Sequence, residues 1–149
     1  MPKPTTGIEA IAASCIAGRL RLLNRVVTNI YDDALRSLDL KVSQMNILVA
    51  AAKLGVARPA EVCDILELDT STLSRTVDRM VENGWLEIVP DEDGRSQPFR
   101  LTAAGRRLLK RALPAWEEAQ AEAKKLLGDD GLRLLDAAVG RVKSAHAGA

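Results

Sequence analysis

A chain of 149 residues with 47% hydrophobic but only 3% aromatic content can bury one core, and that core must be aliphatic. Its 21 basic and 20 acidic residues leave a formal net charge of +1, so any nucleic-acid role must rest on local segregation of charge. Two distant cysteines, Cys15 and Cys63, and a single histidine, His146, exclude a zinc site and histidine-based catalysis, and no apolar run is long enough to span a bilayer.

Residues 1–6 read as a short, mobile tail. From Ile8 to Leu38 a helical pattern runs without Pro, with Ile8, Ile11, Cys15, Leu22, Val26 and Ile30 on one stripe. Leu20, Leu23, Val27 and Leu35 widen it beyond what a small domain covers, which predicts contact with a second chain. Val42–Lys53 is a second helix, ending at Gly55. Pro59 suits the first position of a third, short helix, PAEVCDIL, whose inward residues are Ala60, Val62, Cys63 and Leu66.

Glu67-Leu68-Asp69 makes a tight connection into DTSTLSRTVDRMVENG, the stretch around which the chain is organised. Asp69 or Thr70 can cap its start, and Asn83-Gly84 can end it in a left-handed turn. At about 100° per residue, Leu73, Val77, Met80 and Val81 face one way, and Ser71, Arg75, Asp78, Arg79 and Glu82 face the other. Short helix, tight turn and longer helix form the helix-turn-helix layout, with the longer helix as reader. The exposed first turns hold Ser71, Thr72, Ser74 and Arg75 and no acid beyond Asp69, a surface that can approach phosphates and base edges. Asp78 and Glu82 can pair with Arg75 and Arg79 at i,i+3 spacing, and they confine groove entry to the N-terminal half.

After Gly84 the period changes. Trp85–Val89 is strand-like, Pro90–Gly94 is a turn, and Gln97–Leu101 returns as a second strand, with Pro98 demanding an edge or a bulge. A hairpin in this place is a wing. Its tip carries Arg95, suited to the narrow minor groove. Asp93 would be repelled by phosphate, so it either orients Arg95 or Arg79 or simply forms the turn. Thr102 caps a helix to about Leu127, kinked by Pro114. Gly128 ends that helix, and Asp129 or Asp130 caps a last one to about Ala147. The fold class is therefore mainly α with a small β wing. Residues 42–101 form a winged helix-turn-helix DNA-binding region, and the long helices of 8–38 and 103–147 form a dimer interface.

This order of elements resembles the MarR family of winged helix-turn-helix transcription regulators. The resemblance rests on Asp93-x-Arg95 followed by Leu101-Thr102 and Gly105, on VDRMVENGWL from Val77 to Leu86, and on Gln44 early in the second helix. Ile88 and Gly94 stand where many members carry Arg. The resemblance implies a triangular homodimer, with a reader helix in each of two major grooves and each wing at a minor groove. It also implies a repressor on a pseudo-palindromic operator, released by a small-molecule effector or by cysteine oxidation. In that picture Cys15 is a candidate redox thiol, against the simpler reading of packing, while Cys63 reads as core. Arg19, Tyr31, Met45 and Trp116 would line a ligand cleft.

The partners expected are double-stranded DNA, a second copy and an effector, with no membrane, no cofactor and a cytoplasmic location. An alternative from another class is a winged-helix module for protein–protein assembly without DNA binding. Acids on the first turns of the reader helix would favour it, and those turns hold Ser, Thr and Arg. An enzyme is not expected: no paired carboxylates sit in an apolar setting, and no Gly-rich phosphate loop occurs.

Overall fold

In the computed structural model, which describes residues 7–148, six helices and one two-stranded hairpin follow in order. They are α1 (Gly7–Ser14), α2 (Ile16–Leu35), a 3-10 turn (Arg36–Leu38), α3 (Val42–Leu54), α4 (Pro59–Leu66), α5 (Thr70–Glu82), β1 (Leu86–Ile88), β2 (Phe99–Leu101) and α6 (Ala103–Ala147). The expected tail, residues 1–6, lies outside the described residues. The mainly helical fold with an antiparallel wing is the one expected. No helix among the described residues is long and apolar enough to cross a membrane.

The chain divides into two compact units, one of the residues up to Tyr31 and from Ala119 onward, the other Asp32–Glu118. The second unit therefore extends beyond residues 42–101 at both ends. It holds an aliphatic core built on Leu35, Leu40, Ile47, Leu48, Val62, Leu73, Met80 and Leu86, with Phe99 its one fully buried aromatic ring. Burying a side chain of this size stabilises by roughly 1.5–3 kcal/mol. At the start of α3 two otherwise free donors are satisfied. The Val42 N–H donates to Asp32 Oδ1 at 2.8 Å, and the Lys41 N–H to Gln44 Oε1 at 3.0 Å, which gives Gln44 its role.

The first unit contains α1, most of α2 and the later part of α6. Ala119 and Ala123 are buried there, and the Tyr31 hydroxyl donates to Gln120 Oε1. Burial raises the Tyr31 pKa above its ordinary value. Ile8, Ile11, Ile16, Leu20, Leu22, Leu134 and Val142 are exposed in the single chain.

Three expectations need correction, and the place of Pro98 is refined. The helix over 8–38 is not continuous. It breaks at Cys15, where Ser14 Oγ donates back to the Ala10 carbonyl at 2.6 Å and the Arg19 guanidinium takes the Ala13 carbonyl. A hydroxyl bonding four residues back bends helices. Pro114 sits inside α6 without leaving helical geometry, whereas at Gly128 (φ 68°, ψ 171°), where a helix end was expected, α6 is two helices meeting at a kink. Glycine reaches that conformation without a Cβ penalty. β2 is an outer strand of a two-stranded sheet, as expected from Pro98, and its far side carries only an isolated bridge. Phe99 and Ala57 exchange backbone bonds of 2.8 and 3.0 Å on the side of β2 away from β1. Pro98 lies just before the strand, fully buried, and needs only its carbonyl, which accepts from the Val89 N–H at 2.8 Å. Ala60, expected inward, is exposed.

Candidate nucleic-acid interface

The reader helix α5 is set by its two ends. At its start the Asp69 carboxylate accepts from the Thr72 N–H at 2.6 Å, from Ser71 Oγ at 2.9 Å and from Thr72 Oγ1 at 2.9 Å. These bonds, the Thr72 N–H foremost, hold the Asp69 pKa below its ordinary value. At its end Gly84 takes a φ of 77°, the Gly84 N–H bonds the Val81 carbonyl and the Trp85 N–H bonds the Met80 carbonyl. That is a Schellman stop, and it turns the chain directly into β1. Between the ends Leu73, Val77 and Met80 are buried. Ser71, Ser74, Arg75, Asp78 and Arg79 are exposed, and Thr72 is half-buried.

An ionised carboxylate only accepts, so both hydroxyls must spend their protons on Asp69. Ser71 and Thr72 then present lone pairs outward. Such oxygens suit the amino groups of cytosine or adenine in a major groove. A bond to phosphate, itself an acceptor, would require turning the hydroxyl off Asp69. Ser74 has no such commitment. Arg75 and Arg79 form no ion pair with Asp78 or Glu82 among the described residues.

The wing pairs Leu86 with Leu101, Glu87 with Arg100 and Ile88 with Phe99. Glu87 and Arg100 form an exposed ion pair through the Arg100 Nε at 2.5 Å, which leaves the other guanidinium N–H groups uncommitted. A second ion pair at the wing joins Asp91 to Arg58, the residue capping α4, at 3.4 Å. Asp93 makes no ion pair with Arg95 or Arg79 among the described residues. Arg95 is exposed after a turn closed by the Gly94 N–H on the Asp91 carbonyl.

The wing root is fastened to α6. Thr102 Oγ1 donates to the Gly84 carbonyl at 2.5 Å and accepts from the Gly105 N–H at 3.0 Å, and the Thr102 N–H bonds the Trp85 carbonyl. A Cβ on Gly105 would lie 2.2 Å from that carbonyl oxygen, so the position admits only glycine without rearrangement. This is the physical content of the Leu-Thr-x-x-Gly signature.

Ser74 and Asp78 of α5 and Arg95 of the wing line one cleft of about 410 Å³, closed by Pro59, Ile88 and Phe99 among others. Sequence reasoning missed this cleft, the Arg58–Asp91 pair and the Ala57 bridge. Each joins segments far apart in the chain. The Asp69 cluster was legible in principle: a capping acid followed at two and three residues by hydroxyls is a local pattern.

The other candidates lie elsewhere. Arg19 and Tyr31 belong to the first unit, and Met45 and Trp116 to the second. Met45 is buried in the core and Trp116 packs half-buried against it, and none of the four lines the cleft described above. Cys15 is exposed at the helix break and Cys63 packs against the core.

Residues 38–96 match the model of the MarR family. The chain is 30% identical over 90 residues to the multiple antibiotic resistance protein MarR of Escherichia coli, a match covering 59% of this chain and 62% of that protein, so less than two thirds of the relative is spanned. It is 25% identical over 132 residues to the HTH-type transcriptional regulator PecS of Dickeya dadantii, covering 86% of this chain and 80% of that one. Among solved structures, the Mycobacterium tuberculosis transcriptional regulator MosR in complex with DNA superposes with a TM-score of 0.78 at 27% identity, over 90% of this chain and 98% of that one.

Proposed function

Because the chain belongs to the MarR family, we propose that it is a homodimeric transcription regulator that binds a pseudo-palindromic operator in double-stranded DNA and acts there as a repressor. The observation that carries this reading is the outer face of α5. It presents Ser71, Ser74, Arg75 and Arg79 to solvent, beside a wing tipped by an exposed Arg95. Arg75 reaches guanine edges or phosphates in the major groove, and Arg95 meets the minor groove. Asp78 and Glu82, exposed on the same face, repel phosphate and keep the C-terminal half of α5 out of the groove.

A dimer accounts for the apolar residues that the first unit exposes, which a lone chain would leave in water. Release by an effector or by oxidation of Cys15 completes the proposed cycle. An effector in the cleft among α4, α5 and the wing would act by favouring one arrangement of these elements over another.

The test is selection of bound duplexes from a random library by the purified protein. A consensus of two inverted half-sites about one helical turn apart supports the reading. Failure to enrich any sequence would leave a protein-assembly role in its place.

A further inference from the structure

We propose that the first turns of α6 hold a second polyanion surface, which takes the phosphate backbone of duplex DNA outside the operator. The proposal rests on the DNA-binding reading above. Arg106, Arg107, Lys110 and Arg111 are all solvent-facing, and no acid occurs on the chain from Ala103 to Trp116. At about 100° per residue the four cations share the side of α6 opposite to Gly105, Leu108 and Ala112, which are buried. None makes an ion pair or a side-chain hydrogen bond among the described residues.

Fold stability does not explain this placement. The amino end of a helix carries partial positive charge and favours acids, yet the first turn of α6 has none and cations follow at once. Four like charges within two turns also repel one another. A polyanion would relieve both penalties.

Duplex DNA is the occupant that continuity favours. The start of α6 is locked to the root of the wing: Thr102 bonds the Gly84 and Trp85 carbonyls, and Gly105 sits against Trp85. The basic face therefore begins at a helix start that is fastened to the root of the wing. A duplex running on past the wing is the nearest source of phosphates. The contacts are to backbone, so they add affinity and salt dependence but no base preference.

The experiment uses the full chain and the selected operator in two duplexes, one ending at the half-sites and one extended on both sides by random sequence. Wild type is compared with the quadruple variant Arg106→Gln, Arg107→Gln, Lys110→Gln and Arg111→Gln. Gln has nearly the helix propensity of Lys and Arg, and a melting curve checks the fold. The wild type should bind the long duplex more tightly and with a steeper salt slope. The variant should bind both alike, its slope on the long duplex shallower by about 0.9 for each phosphate it no longer neutralises. A second variant, Arg106→Lys, Arg107→Lys and Arg111→Lys, keeps the charge and should keep the length effect.

If wild type binds neither duplex, the DNA-binding reading itself fails. If wild type binds both lengths equally, or the Gln variant loses affinity equally on both, the flanking surface is overturned while that reading stands. The same holds if the variant matches wild type on both, which would point to an acidic protein partner.

Discussion

At Asp69 one carboxylate caps α5 and also holds the protons of two hydroxyls that face outward. Its lowered pKa fixes the sign of the pH effect. The contribution of the ionised cap is fully present above the ordinary carboxylate range, near ~3.9, and is lost as pH falls through the lower folded value. Asp69→Asn keeps a capping oxygen but cannot ionise. Urea unfolding should show a wild-type advantage that is constant near neutral pH and shrinks on acidification below that range. An advantage that grows in acid would contradict the account. In DNA binding the variant should relax choice at base positions facing Ser71 and Thr72, because the amide no longer fixes which way the hydroxyls point.

Among elements, the junction of wing and α6 is tightly constrained. Thr102, Gly84, Trp85 and Gly105 close it through three backbone or side-chain bonds and one approach without room for a methyl group. Gly105→Ala should cost about 1–3 kcal/mol in urea unfolding, in the range of overpacked sites. A change within error would show that the junction yields freely. The elements themselves were largely legible in the sequence. Pro59 marked the first residue of α4, and the spacing of Leu73, Val77 and Met80 marked the buried side of α5. What was not legible depended on partners distant in the chain or on side-chain reach. At the one-residue break at Cys15, Ser14 and Arg19 bond backbone carbonyls, and neither Pro nor Gly stands there to announce it. Pro98 marks β2 as an outer strand, but nothing local to it announces the isolated bridge from Ala57 to the next residue. The cleft gathers residues from Pro59 to Phe99, and no local pattern predicts it.

For the whole molecule, the first unit carries the exposed apolar surface that the proposed dimer would bury. Ile8 is 82% exposed and Leu134 72% in the single chain, far from what such residues tolerate together in water. Sedimentation should give a dimer at micromolar concentration, and a well-folded monomer there would contradict the account. The redox alternative for release is separable. Mild peroxide should free wild type from DNA and leave Cys15→Ser bound, whereas equal behaviour would reduce Cys15 to packing.

The central claim is that α5 reads bases while the wing supplies affinity, and site selection repeated with Arg75→Ala and Arg95→Ala tests it most directly. Removing a bidentate bond to guanine costs roughly 1–3 kcal/mol at one position. Arg75→Ala should therefore lose one base of each half-site, symmetrically, while the rest of the consensus stays. Arg95→Ala should weaken all sites nearly alike, without changing the consensus, and should lower the salt slope by roughly 1 for each phosphate left without its cation. A full consensus from Arg75→Ala, together with a single-base change from Arg95→Ala, would contradict the assignment of the two roles.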